Sequence, residues 1–202
     1  MFRLMFLLGC GLVCCSPAYS AVVYDETDIG SGDLSNDPNA PKALGALNVG
    51  VSEIIGVIES IDDGFVVVPD PDIFTFSVAA GRQLDSIFIN FGTGSNHFVG
   101  IDDGPTSDSG NGTQLLVATL WSNTDNNVNL LDLTTAQQTF NGSGVTAPLG
   151  PGDYTVWVQE NSEGGWDYST LVTISATAVP EPSGILLAAV PLFVWTRRRR
   201  RK

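Results

Sequence analysis

The stretch Pro71-Asp72-Ile73-Phe74-Thr75-Phe76-Ser77-Val78-Ala79-Ala80-Gly81 carries the clearest conformational signal in the chain. Phe74, Phe76 and Val78 alternate with Thr75 and Ser77, so an extended backbone puts the three bulky side chains on one face, as a half-buried strand requires. The same alternation recurs downstream. Ile87, Ile89 and Phe91 share a face, as do Tyr154, Val156 and Val158, and then Tyr168, Thr170, Val172 and Ile174. The runs 54–58 and 115–121 add two candidates apolar enough for burial on both sides, with Trp121 read as core. Clusters of Gly, Pro, Asn and Asp at 69–71, 92–96, 102–112 and 150–152 break the chain between these runs. Short strands with such punctuation predict an all-β domain over residues 44–176, an antiparallel β-sandwich or jelly roll. Residues 21–43 read as a polar leader, loosely ordered except around Val22 to Tyr24.

Composition narrows the function. The chain has 202 residues, 22 acids against 9 bases, and a formal charge of -13. That balance repels phosphate backbones and argues against nucleic-acid binding. Its distribution is sharper still: Arg3 and residues 197–202 hold seven of the nine bases, leaving Lys42 and Arg82 against 21 acids between residues 21 and 178, a formal -19.

The two ends read as addresses. Arg3, the apolar run 4–15, Pro17, and the small residues Ala18 and Ser20 form a secretory signal peptide over residues 1–20, with cleavage before Ala21. Leu7-Leu8-Gly9-Cys10 is a rival lipobox. Cys10, Cys14 and Cys15 all lie in this segment, so the mature chain has no disulfide and no cysteine metal site. At the other end, residues 184–195 are an apolar stretch of about 18 Å as a helix, short of the roughly 30 Å of a bilayer core. The basic residues 197–202 follow it and would stay on the cytoplasmic side.

The order Val179, Pro180, Glu181, Pro182, Ser183, then the apolar segment 184–195, then the arginines 197–201, resembles the PEP-CTERM sorting signal of Gram-negative bacteria. The resemblance implies transient anchoring in the inner membrane and recognition by an exosortase that cuts near the motif. It further implies export to the cell surface or an exopolysaccharide matrix. Val179 to Pro182 would then be another enzyme's substrate. Leu47-Asn48-Val49-Gly50, Ile55-Gly56-Val57-Ile58, the Pro71 to Gly81 stretch and Gly152-Asp153-Tyr154-Thr155-Val156-Trp157-Val158 are similar to the bacterial pre-peptidase C-terminal type of β-sandwich. Such domains accompany secreted enzymes or stand as non-catalytic modules, and some bind calcium or extracellular polymers.

Three chemistries are worth weighing. Asp70 with Asp72, Asp62 with Asp63, and Asp102 with Asp103 offer the hard oxygens that calcium takes. Both Asp-Asp-Gly segments suit turns for backbone reasons alone, so Asp70 and Asp72, beside the aromatic strand, are the preferred metal ligands. Asp125, Asn127 and Asn129 have EF-hand spacing, but Leu130 stands where the loop needs Gly and Ala136 where it needs Glu. Trp157 should point away from the core on its strand and, helped by Trp166, offer a stacking platform for a glycan. The plainer alternative is an outer-face aromatic packed under a loop. For hydrolysis, no carboxylate pair is marked out, and His97, expected at an exposed strand edge, has no identifiable nucleophile. The sequence thus predicts a non-enzymatic exported surface or matrix protein with a structural or adhesive role. The alternative is a calcium-assisted carbohydrate-binding module acting on exopolysaccharide.

Overall fold

The computed structural model describes residues 20–62, 67–92, 96–107, 115–134, 140, 142–160 and 164–177. Most of the expected signal peptide and all of the expected sorting motif lie outside these residues. The chain is an all-β sandwich, as expected. In order the strands are β1 (Ala21–Asp25), β2 (Lys42–Ala46), β3 (Gly50–Asp62), β4 (Val67–Pro69), β5 (Asp72–Val78), β6 (Arg82–Phe91), β7 (His97–Asp103), β8 (Val117–Trp121), β9 (Gly152–Gln159) and β10 (Gly164–Ala176). One sheet runs β1-β3-β10-β6, with β4 also on β3; the other runs β2-β5-β9-β7-β8. Among the described residues no helix is long and apolar enough to cross a membrane.

The alternating residues do what their spacing requires. Phe74, Phe76 and Val78 face Ile87, Ile89 and Phe91 across the core, joined there by Tyr154, Val156, Val158, Tyr168, Val172 and Ile174. Each such side chain contributes about 1.5–3 kcal/mol by leaving water. Trp121 is buried as expected, and its indole Nε1 donates to the Ile89 carbonyl at 3.0 Å, so that its polar atom is satisfied. The chain crosses between sheets at Ala79-Ala80-Gly81, where the Arg82 N–H reaches the Ala79 carbonyl and Gly81 takes φ +77°. A left-handed residue at that point of the turn is why glycine stands there.

Three expectations need correction. The run 54–58 is not buried on both sides: Ile54 and Ile58 lie in the core while Ile55 and Val57 are half-buried on the outer face. The outer face of this sheet carries Glu53 and Glu59 on the same strand, so β3 alternates like its neighbours. The sandwich is also not antiparallel throughout, and residues 21–43 are not a loose leader. β1 pairs in parallel with β3, and β2 pairs in parallel with β5. Leu34, between them, is only 2 % exposed and belongs to the core. The connection from β1 to β2 therefore leaves one sheet, crosses the end of the sandwich and joins the other. Ser35 bridges to Ile73 on the way. That crossing builds the site described next.

Candidate metal centre

Continuing the Phe74, Phe76, Val78 alternation one step back places Asp72 on the core face. The structure keeps it there, fully buried, at the first position of β5. Neither carboxyl oxygen completes a hydrogen bond. The crossing segment brings Glu26 and Asp33 over it, and one oxygen from each of Glu26, Asp33 and Asp72 lies within 4.8 Å of the others. Glu26 is fixed by backbone: its Oε1 accepts from the Leu34 N–H at 2.6 Å and its Oε2 from the Val57 N–H at 2.7 Å. The loop that carries Asp33 is held in turn by the Tyr24 hydroxyl, which donates to the Ser31 and Gly32 carbonyls.

The electrostatics are one-sided. Burial first, then the nearby charges of Glu26, Asp33 and Asp70, push the Asp72 carboxyl up to about 8. Burial and a hydrogen bond with Asp33 push Glu26 up to about 7, against the two backbone donors that favour its charged form. The charges acting on Asp72 are thus all acidic. The two bases of the domain are engaged elsewhere: Lys42 lies 5.2 Å over the Tyr24 ring, and Arg82 donates to the Leu47 carbonyl. Above the cluster opens a cavity of about 520 Å³ lined by Glu26, Asp28, Asp33, Glu59 and Asp70 together with Gly30, Gly32 and Val57. Three convergent carboxylates, one of them buried with both oxygens free, are a donor set for a hard divalent cation; calcium takes such oxygens and tolerates irregular geometry.

Of the two metal ligands expected from sequence, Asp72 is in this cluster and Asp70 is on the cavity rim. Asp70 accepts from Asn36 Nδ2 at 2.5 Å and acts on Asp72 through its charge. Glu26 and Asp33 were not legible as partners, because they lie about forty residues upstream and meet Asp72 only through the crossing. Of the other aspartate pairs, Asp63 falls outside the described residues. Asp102 is buried on β7, while Asp103 points to a separate shallow cavity shared with Asp153.

Trp157 is on the outer face of β9, as its alternation predicts, with Tyr154, Val156 and Val158 buried behind it. It meets Phe98 edge-on at 5.4 Å, and Phe98 in turn meets Phe140 from the loop after β8 at 5.6 Å. Trp166 lies on the other sheet, on β10, and packs against the core. The two tryptophans do not form one platform. His97 corrects another expectation. It is fully buried at an inward position of β7 in register with Val99 and Ile101, with Nδ1 2.7 Å from Glu160 Oε2 and its ring stacked on Phe91 at 3.9 Å. Inward alternation along β7 decides this, and the buried Glu160 supplies the polar partner.

No protein-family model matches the chain, and no curated protein matches it.

Proposed function

We propose that this chain is an exported, non-enzymatic surface or matrix module that binds calcium at one end of its β-sandwich and serves a structural or adhesive role. The observation that carries the reading is Asp72: a fully buried carboxyl with two unpartnered oxygens, facing two further carboxylates. Burying such a group without a partner is costly, and a divalent cation removes that cost by replacing the missing partner. Calcium at the millimolar level of extracellular space suits modules of this ligand type. The export half of the reading rests on the signal peptide and on the likeness of residues 179–201 to a sorting signal, with signal peptidase and an exosortase as processing enzymes. The acidic ectodomain agrees with a soluble extracellular life.

The test is thermal unfolding of the exported protein with calcium and with a chelator. A ligand at a hundred times its dissociation constant stabilises the native state by about 2.7 kcal/mol. For a domain of this size that is a rise on the order of 5–10 °C in the midpoint. A midpoint that does not move up to millimolar calcium contradicts the reading.

A further inference from the structure

Tyr168 stands opposite Gly56 of β3 and Phe91 of β6 in the sheet register. Its ring is buried, 5.8 Å from the Phe91 ring on one side. On the other side it lies directly on Gly56: a Cβ at position 56 would sit 2.5 Å from the ring Cζ and from the hydroxyl oxygen. Any side chain there would expel the ring, so glycine at 56 is what lets the hydroxyl reach inward. The next residue, Val57, holds Glu26 through its N–H. One step of β3 therefore places both the Tyr168 hydroxyl and the Glu26 carboxyl at the cluster. The hydroxyl lies within hydrogen-bonding reach of the Asp72 carboxyl, although neither group completes a hydrogen bond of good geometry in this structure.

We propose that Tyr168 is the positioning residue of the cation site: its hydroxyl, seated over Gly56, donates to one oxygen of the Asp72 carboxylate and leaves the other for the ion shared with Glu26 and Asp33. This inference rests on the calcium reading above. A tyrosine hydroxyl suits the task chemically. It is a donor that can steer a carboxylate without neutralising it, and as a phenol it stays protonated where a lysine would bring a competing cation. Donors behind a metal ligand fix its orientation, and removing one typically costs 10–100-fold in metal affinity.

The experiment titrates calcium into the mature full-length protein and its Tyr168→Phe variant by calorimetry, alongside melting of both in chelator. Phenylalanine keeps the ring and removes only the hydroxyl. The expected result is calcium binding about 10–100-fold weaker in the variant, with a calcium-free midpoint that is unchanged or higher, since a buried hydroxyl without a completed hydrogen bond is lost. Gly56→Ala should weaken calcium binding as well, by displacing the ring. If both proteins bind calcium equally, Tyr168 does not position the ligand and the inference fails while the calcium reading stands. If the wild type binds no calcium, both fail. Should weaker binding come with a matching fall in the calcium-free midpoint, Tyr168 serves the core alone and the inference is overturned.

Discussion

Asp72 occupies a strand position that an aliphatic side chain would fill at lower cost. Its neighbours on the same face, Phe74 and Phe76, are fully enclosed, and so is Asp72. Without an ion the carboxyl meets this by holding its proton, which moves its titration from 3.8 to about 8. Glu26 moves in the same direction, to about 7. The native state therefore binds protons that the unfolded chain has already released, so stability falls as pH rises from about 4 to about 8, and a bound cation would restore it at the upper end. In chelator, the melting midpoint should decline between these limits. Asp72→Asn should flatten that decline, lie above the wild type near pH 8 and abolish the calcium response. Calorimetric scans across the range check all three, and a midpoint that rises with pH would contradict the assignment. At His97 the opposite device operates: a buried imidazole is offset by a carboxylate on the adjacent strand's end, Glu160, and by a stacked ring.

Strand edges show a different economy. The outer edge of β6 is not left open. Asn126 bonds both the N–H and the carbonyl of Phe91, at 3.0 and 2.9 Å, and Asn129 Oδ1 accepts from the Ile87 N–H at 3.1 Å. A side-chain amide has one acceptor and one donor side, so these asparagines replace a neighbouring strand. This accounts for residues whose spacing invites an EF-hand reading: Asn129 caps the turn at Leu130–Asp132 and the edge together. An unpaired edge is a template for association with other chains. Asn126→Ala and Asn129→Ala should each lower stability in denaturant by about 1–3 kcal/mol, because buried backbone donors lose their acceptors. The double variant should sediment as larger species; a monomer of unchanged stability would show that the amides do not protect the edge. β1, at the far edge of the same sheet, is blunted in another way, by a bulge between Val22 and Tyr24.

At the scale of the molecule, charge divides sharply between the domain and the two ends. The stretch between residues 21 and 178 carries two bases against 21 acids, and the remaining bases belong to the ends. Such a surface repels its own copies and anionic polymers, so divalent cations are the natural mediators of either contact. The described strands all lie between Ala21, where β1 begins, and Ala176, where β10 ends, so the proposed removal of both ends would spare each of them. Intact mass of the protein recovered from its native host should give termini at Ala21 and near Pro180. A chain retaining residues 197–202 in the membrane fraction would contradict sorting and leave a tail-anchored protein.

Alternation with a period of two is local, which is why β5, β6, β9 and β10 could be read directly from their side chains, and with them the fold class and the outward placement of Trp157. Asp72 was legible as a candidate ligand for a related reason, since an acid next to an aromatic strand stands out. Order around Val22 to Tyr24 was legible, but the strand nature of residues 42–46 and the parallel pairing of both segments were not, because no alternation of bulky side chains marks 42–46 and the partners on β3 and β5 supply the order. His97 looked like a surface residue until its inward register and Glu160 were known. Above all, Glu26 and Asp33 became partners of Asp72 only through a chain crossing from one sheet to the other. A carboxylate cluster is a three-body coincidence in space, and local sequence constrains the conformation of each segment without fixing which distant segments meet.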